Sequence, residues 1–134
     1  MAFTEPEFQL HEEDLDERTH VIAVSGEIHV STAPEFGRRV TEIISERGGH
    51  LVLDLRAVTF IDSTGLSVIL NGLRRVTRQR GRMTLVCANP TVLRLFEITR
   101  LTSTFDIHET RDDALRAARA GYVATADGSS DGAP

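Results

Sequence analysis

The chain carries an Asp-Ser-Thr-Gly segment at residues 62–65, between an apolar run and a stretch with helical spacing. The first backbone N–H groups of a helix have no partner inside the helix, and a side-chain oxygen of Asp, Ser or Thr satisfies them. The same end of a helix attracts anions, because its N–H groups and its dipole present positive charge. The segment therefore predicts a helix cap, with Ser63 as a candidate for holding a phosphate.

The rest of the chain offers little support for enzyme chemistry. A nucleophile elbow needs glycine two residues before its serine, and Ile61 stands there. The Asp-Ser-Thr-Gly run is also one residue longer than an aspartic-protease motif. The histidines are scattered, with no helical pair at metal-binding spacing: His11, His20, His29, His50 and His108. We therefore predict a protein that is not an enzyme and that needs no metal or cofactor.

The composition limits the classes of binding partner and the cellular location that we expect for this protein. The 134 residues suffice for one domain, and the net charge of −5 disfavours nucleic acid or an anionic membrane as the main partner. All 15 basic residues are arginine, so the lysine of phosphate-binding loops and of Schiff bases is missing. No apolar run reaches the ~20 residues of a membrane span, and the acidic N-terminus is unlike a signal peptide, which predicts a cytoplasmic location. Cys87 lies in an apolar run and is predicted to be a core residue.

The first half of the chain predicts two strands, a helix and a third strand. Alternating residues around Phe8 and Leu10 predict an edge strand, paired antiparallel with an apolar strand at 19–25 across the acidic segment 11–18. Gly26 is predicted to close that second strand. Thr32 opens a Thr-Ala-Pro-Glu capping box, which predicts a helix that ends at the glycines 48 and 49. Residues 51–55 predict the third strand.

The second half continues the alternation. It predicts a helix after Asp62 ending near 80–81, a strand at 83–88, a helix after Asn89, a short strand near 105–107 and a helix after Thr110. The whole is an α/β fold: a single domain at 1–121, a mostly parallel sheet of about five strands with an antiparallel N-terminal edge, and about four helices. The small polar residues at 122–134 predict a disordered tail. Because sites form where parallel strands end, the loop after Gly26 and the segment 60–66 are predicted to meet.

Three stretches, in this order, resemble the STAS domain, and in particular the bacterial anti-sigma factor antagonists. They are Val-Ser-Gly-Glu-Ile at 24–28, the run from Asp54 to Leu66, and Ala-Leu at 114–115. The resemblance covers about residues 6–121. It implies that Ser63 is the phosphoacceptor and that the loop at 26–29 helps to bind a kinase. The partner-binding residues that it implies are Asp62, Thr64, Gly65, Glu27, His29 and Thr32. His29 stands where many members carry aspartate, which adds a titratable group beside the site.

The resemblance also implies a partner switch. The unmodified protein binds an anti-sigma factor that is a serine kinase, sigma factor is released, phosphorylation of Ser63 dissociates the complex, and a serine phosphatase resets it. Two alternatives stay open: a STAS adaptor that works without phosphorylation in a signalling or transport assembly, and a small-nucleotide-binding module. The arginines at 74–82 predict a solvated helix face, with docking to an acidic partner as the alternative.

Overall fold

A computed structural model of the chain describes residues 7–126, with side-chain surroundings through Arg119. Its sheet has five strands in the order β1-β2-β3-β4-β5, with β1 antiparallel to β2 and all other neighbours parallel. The strands are β1 Gln9–Asp14, β2 Thr19–Ile28, β3 His50–Ile61, β4 Arg82–Val86 and β5 Asp106–His108. The helices are α1 Ala33–Arg47, α2 Ser63–Arg78, α3 Pro90–Ile98 and α4 Arg111–Ala126. The predicted α/β architecture, with its antiparallel N-terminal edge, is confirmed.

Helices cover both faces of the sheet, because successive side chains of a strand point to opposite faces. Helices α1, α2 and α3 pack on one face, and Cys87 is buried there as predicted. The larger core cluster on that face includes Ile22, Phe36, Leu53, Ile69, Leu85 and Phe96. Helix α4 packs on the other face, where the smaller cluster consists of Val21, Val52, Val86 and Ala114. Among the described residues, no helix is long and apolar enough to cross a membrane.

The strand boundaries differ from the prediction most at three places. The third strand, predicted at 51–55, is β3 His50–Ile61, and the other two differences lie in β1 and β2. Residues 11–14 belong to β1 and not to the connection, because their backbone pairs with residues 20–23 of β2. The side chains of Glu12 and Glu13 pair with arginines of α1 and α4. Gly26 does not close β2, which continues to Ile28. Gly26 has φ +91 at an irregularity of the β2–β3 register, and a Cβ there would lie 2.5 Å from a backbone oxygen of Glu7. The glycine therefore bends β2 without ending its pairing with β3.

The helix starts follow the prediction with one exception. Asp62 caps α2 and Asn89 caps α3 through side-chain oxygens, and the Asp113 N–H donates to the Thr110 hydroxyl at the start of α4. Thr32 stands at the N-cap position of α1, but its side chain makes no capping hydrogen bond, so the predicted capping box is wrong. Its hydroxyl instead donates to the Glu27 carbonyl near the end of β2 and accepts the His29 N–H in the following loop.

The C-terminal boundary also falls beyond the predicted position. Helix α4 reaches Ala126, past the boundary predicted after residue 121. Residues 127–134 lie outside the described part of the chain, so the disordered tail stays a prediction.

Candidate functional site at the start of helix α2

The ends of β2 and β3 meet where α1 and α2 begin. The Asp62 N–H donates to the Ile28 carbonyl at 3.1 Å, which continues the pairing of Ile28 with Ile61. This bond joins the last residue of β2 to the residue that caps α2. The site edge therefore consists of the β2–α1 loop on one side and the start of α2 on the other, as expected for consecutive parallel strands.

Asp62 organises the start of α2. One of its carboxylate oxygens accepts the backbone N–H groups of Thr64 at 2.9 Å and of Gly65 at 3.1 Å. Burial acts to raise the pKa of Asp62, but the Thr64 and Gly65 hydrogen bonds outweigh it, and with nearby His29 they lower the pKa below its usual value. The carboxylate is therefore ionised at neutral pH, and it takes up the N–H donors that an incoming anion would need.

Ser63 and Thr64 present their hydroxyls very differently. Ser63 is the first residue of α2, its side chain is exposed, and its hydroxyl makes no hydrogen bond with any residue that the structure describes. The Thr64 hydroxyl donates to the Asp62 carboxylate and is thereby part of the cap. Of these two hydroxyls, only that of Ser63 makes no hydrogen bond with the described residues.

Gly65 is buried below these two residues. A Cβ at this position would lie 2.5 Å from Cγ2 of Ile28 and 2.8 Å from Cγ1 of Ile61, closer than real side chains approach. Glycine thus allows α2 to begin directly on the ends of β2 and β3. Gly65 positions Ser63 through this packing, and its expected contact with a partner stays a prediction.

The β2–α1 loop is braced by Thr32. Its hydroxyl donates to the Glu27 carbonyl at 2.8 Å and accepts the His29 N–H at 2.9 Å. His29 accepts the Ser31 N–H on Nδ1 at 3.2 Å, and its Nε2 lies 3.6 Å from a Glu27 carboxylate oxygen. Glu27 and His29 are half-buried side chains at the site edge, whereas Thr32 is chiefly a brace that shapes the loop.

Two exposed apolar side chains flank the site, and sequence reasoning did not single them out. Val30, in the β2–α1 loop, is 69% exposed. Phe60, which pairs with Glu27 across β2 and β3, is 42% exposed. The third strand predicted from the sequence ends at residue 55 and leaves Phe60 outside the sheet, whereas β3 runs to Ile61. Exposed apolar groups beside a polar site are typical of a protein-binding surface.

Asp54, the first residue of the central motif, lies away from Ser63. It is only 4% exposed, on the face covered by α4. Its carboxylate contacts Arg56 at 2.7 Å and Arg111 at 3.3 Å. Burial acts to raise the pKa of Asp54, but the bonds and charge of these arginines lower it. Asp54 therefore ties α4 to the sheet.

No group of three potential metal ligands occurs among residues 7–126, so no metal centre is assigned to the described chain. In the nucleotide-binding alternative, a phosphate would bind at the start of α2. There the Thr64 and Gly65 N–H groups already donate to Asp62, so a nucleotide phosphate would have to displace a carboxylate. The arrangement presents a free hydroxyl beside a fixed negative charge.

Comparisons with known proteins agree with this fold. A family model described as the STAS domain matches residues 12–114. The anti-sigma-B factor antagonist of Bacillus subtilis is 34% identical over 86 residues, which are 64% of this chain and 78% of that protein. The anti-sigma-B factor antagonist of Listeria monocytogenes is 32% identical over 100 residues, 74% of this chain and 85% of that protein.

A solved structure is similar over nearly the same span. The crystal structure of an anti-sigma factor antagonist from Mycobacterium paratuberculosis superposes with a TM-score of 0.78 at 32% identity. The superposition covers 84% of this chain and 95% of that one. The similarity therefore extends through the sheet and the helices around Ser63.

Proposed function

Because the chain belongs to the STAS domain family, we propose that it is an anti-sigma factor antagonist controlled by phosphorylation of Ser63. Unmodified, it binds an anti-sigma factor that is also a serine kinase, and sigma factor is released. The kinase transfers the γ-phosphoryl group of ATP to the Ser63 oxygen, the hydroxyl proton is lost, and ADP leaves. A serine phosphatase then hydrolyses the phosphoserine. In this scheme the protein is a binding module and a substrate, not an enzyme.

One observation carries the proposal. The Ser63 hydroxyl, at the first residue of α2, is exposed and makes no hydrogen bond with the described residues, while the neighbouring Thr64 hydroxyl donates to Asp62. A kinase must align its acceptor oxygen with the γ-phosphorus, and a free hydroxyl needs no prior rearrangement. The names of the relatives support the same role, since the proteins from Bacillus subtilis and Listeria monocytogenes are antagonists of anti-sigma factors.

Charge supplies the switching mechanism. A phosphoryl group adds about −1.5 to −2 charges at neutral pH. On Ser63 this charge lies beside the ionised Asp62, whose carboxylate already occupies two N–H groups of α2. The free protein tolerates the charge at an exposed helix start, but an interface must desolvate it. A loss of about 2–3 kcal/mol weakens a complex about 30- to 150-fold, enough for a switch without a conformational change.

The first test is the intact mass of the protein isolated from its own host, followed by peptide mapping across residues 57–74. One phosphoryl group on Ser63 is the expected result. Ser63 unmodified under all growth and stress conditions would contradict the proposal and favour an adaptor that works without phosphorylation.

The second test is binding. With the full-length Ser63→Ala variant as bait, the partner is captured, identified by mass spectrometry and purified. In Mg·ATP this variant should stay bound to the kinase while the wild-type protein is released. Thr64→Ala is the matched control, and it should be released like the wild type. Equal retention of wild type and Ser63→Ala in Mg·ATP would contradict the switch.

A further inference from the structure

Helices α1 and α2 run side by side and leave a groove of about 670 Å³ between them. The groove begins at Val30 and Thr64, directly beside Ser63, and follows α2 as far as Arg78. From Thr64 to Arg78 the helix rises about 21 Å at ~1.5 Å per residue. The groove is therefore long enough for a helical or extended segment of a protein, and it is continuous with the candidate site.

The floor of the groove is apolar, and two of the residues that line it, Gly37 and Gly72, have no side chain. A Cβ at Gly72 would lie 3.0 Å from both Met83 and Val40, and one at Gly37 would lie 3.4 Å from Val68. The half-buried Val68 lies between the helices, and the exposed Val30 stands at the mouth. An apolar floor of this kind fits the apolar stripe of an amphipathic helix.

The rim of the groove is basic. Its lining contains no aspartate or glutamate, although the chain has 20 acidic residues. It contains four arginines: Arg38, Arg74, Arg75 and Arg78. Arg38 pairs with Glu42, and Arg74 donates to Asn71. Arg75 and Arg78 are exposed and make no ion pair or hydrogen bond with any residue the structure describes.

Helix electrostatics alone do not account for this arrangement. A positive charge near the C-terminus of α2 is favourable, but Arg74 and Arg78 lie one turn apart, where like charges repel. The repulsion is relieved when carboxylates of a partner lie between the guanidinium groups. The rim is thus complementary to an acidic segment.

We propose that the α1–α2 groove is a docking surface for an acidic amphipathic helix of the kinase that phosphorylates Ser63. Apolar side chains of this helix lie over Val30, Gly37 and Val68, and its carboxylates face Arg75 and Arg78. The proposal rests on the proposed function, since the groove opens at Thr64 and one partner can span both surfaces. Docking there holds the kinase along α2 with its active site at Ser63, without contacting the phosphoryl group itself.

The test uses the full-length protein and the kinase captured with Ser63→Ala, kept in ADP so that no transfer occurs. The Arg75→Gln/Arg78→Gln variant is compared with Arg94→Gln/Arg119→Gln, which removes the same charge from exposed arginines of α3 and α4 outside the groove. Equal melting temperatures establish that both fold. We expect the groove variant to bind about tenfold more weakly with a smaller salt dependence, and the control to stay within about twofold of wild type.

The outcomes separate this proposal from the proposed function. If both double variants bind the kinase equally well with the same salt dependence, the groove proposal fails while the Ser63 switch stands. If phosphorylated wild-type protein binds as tightly as the unmodified protein, the switch fails. If no kinase binds at all, both fail. The wild type is also titrated with phosphatidylglycerol vesicles and with a short single-stranded DNA. The kinase helix is the wrong occupant of the groove if the Arg75→Gln/Arg78→Gln variant loses binding to the vesicles or to the DNA, the control variant keeps it, and kinase binding is unchanged.

Discussion

The hydroxyl of Thr64 donates to the carboxylate oxygen of Asp62 that also accepts the Thr64 and Gly65 N–H groups. This single oxygen organises the start of α2. It also makes the two adjacent hydroxyls unequal, because it binds the hydroxyl of Thr64 and not that of Ser63. Thr64 is committed to the cap, and Ser63 is not. The difference explains how one of two neighbouring hydroxyls can be the acceptor without any selectivity in the partner.

We expect phosphorylation to follow this difference. Ser63→Ala should remove all phosphate incorporation, and Thr64→Ala should retain most of it. Because the Ser63 hydroxyl makes no hydrogen bond with the described residues, Ser63→Ala should change the free energy of unfolding by less than about 0.5 kcal/mol. Phosphate incorporation with the purified kinase and Mg·ATP, with urea unfolding alongside, checks both statements. Phosphorylation of Ser63→Ala at Thr64 would contradict the assignment.

The Asp62 cap makes a prediction about pH. Asp62→Ala should lower the free energy of unfolding by about 1 kcal/mol at pH 7, since two N–H groups lose their acceptor. Hydrogen bonds from Thr64 and Gly65 outweigh burial and lower the pKa of Asp62 below its ordinary 3.8, so its contribution is complete above that pH. The difference between wild type and variant should shrink as pH falls further, through the lowered pKa. Asp62→Ser, which keeps a capping oxygen, should restore most of the stability. Urea unfolding at a series of pH values measures this, and a difference that grows in acid would contradict it.

Gly65 and Gly37 form a matched pair for testing the packing below Ser63. Gly65→Ala should lower the free energy of unfolding by about 1–3 kcal/mol, because its Cβ would lie 2.5 Å from Ile28. Gly37→Ala makes the same change in α1, where the nearest side-chain atom is at an ordinary 3.4 Å, and helix propensity should stabilise it by up to about 1 kcal/mol. Thermal or urea unfolding of both variants measures the two changes in the free energy of unfolding. Equal effects would mean that Gly65 is not needed for close packing.

His50 should make the protein sensitive to acid. Its side chain is buried, with Nε2 2.7 Å from the Thr84 hydroxyl. Burial, helped by the charge of Arg82 and opposed by that of Asp106, lowers the pKa of His50 from 6.5 to about 4. The unfolded chain therefore binds a proton in this window that the folded protein does not. Stability should be lost as pH falls from 6.5 to 4, by up to about 3 kcal/mol from this residue.

The matched variants for this effect are His50→Gln and His11→Gln. His50→Gln should flatten the pH dependence of the free energy of unfolding between pH 6.5 and 4. His11 is exposed on β1, so His11→Gln should follow the wild-type curve. Urea unfolding at four or five pH values in this window is the measurement. Parallel curves for wild type and His50→Gln would show that another group causes the acid sensitivity.

The element order and the caps of α2, α3 and α4 were predictable because their signals are local. Asp62 and Asn89 bond N–H groups two or three residues ahead, so the residues that make each bond stand together in the sequence. Thr32 carried the same kind of signal, but its hydroxyl bonds the Glu27 carbonyl, since β2 runs on past Gly26 and brings that carbonyl within reach. A local pattern failed where a competing partner came from the preceding strand.

The sequence by itself determined the alternation of strands and helices, the cap at Asp62 and the place of Ser63 at the first turn of α2, because periodicity and capping depend on residues within a few positions of each other. Only the tertiary structure decided that Ile28 and Ile61 require glycine at position 65 and that Phe60 faces solvent. It also decided that α1 and α2 enclose a basic groove leading to Ser63. These relationships join residues far apart in the chain, and they depend on strand register and helix packing, which no short stretch of sequence encodes.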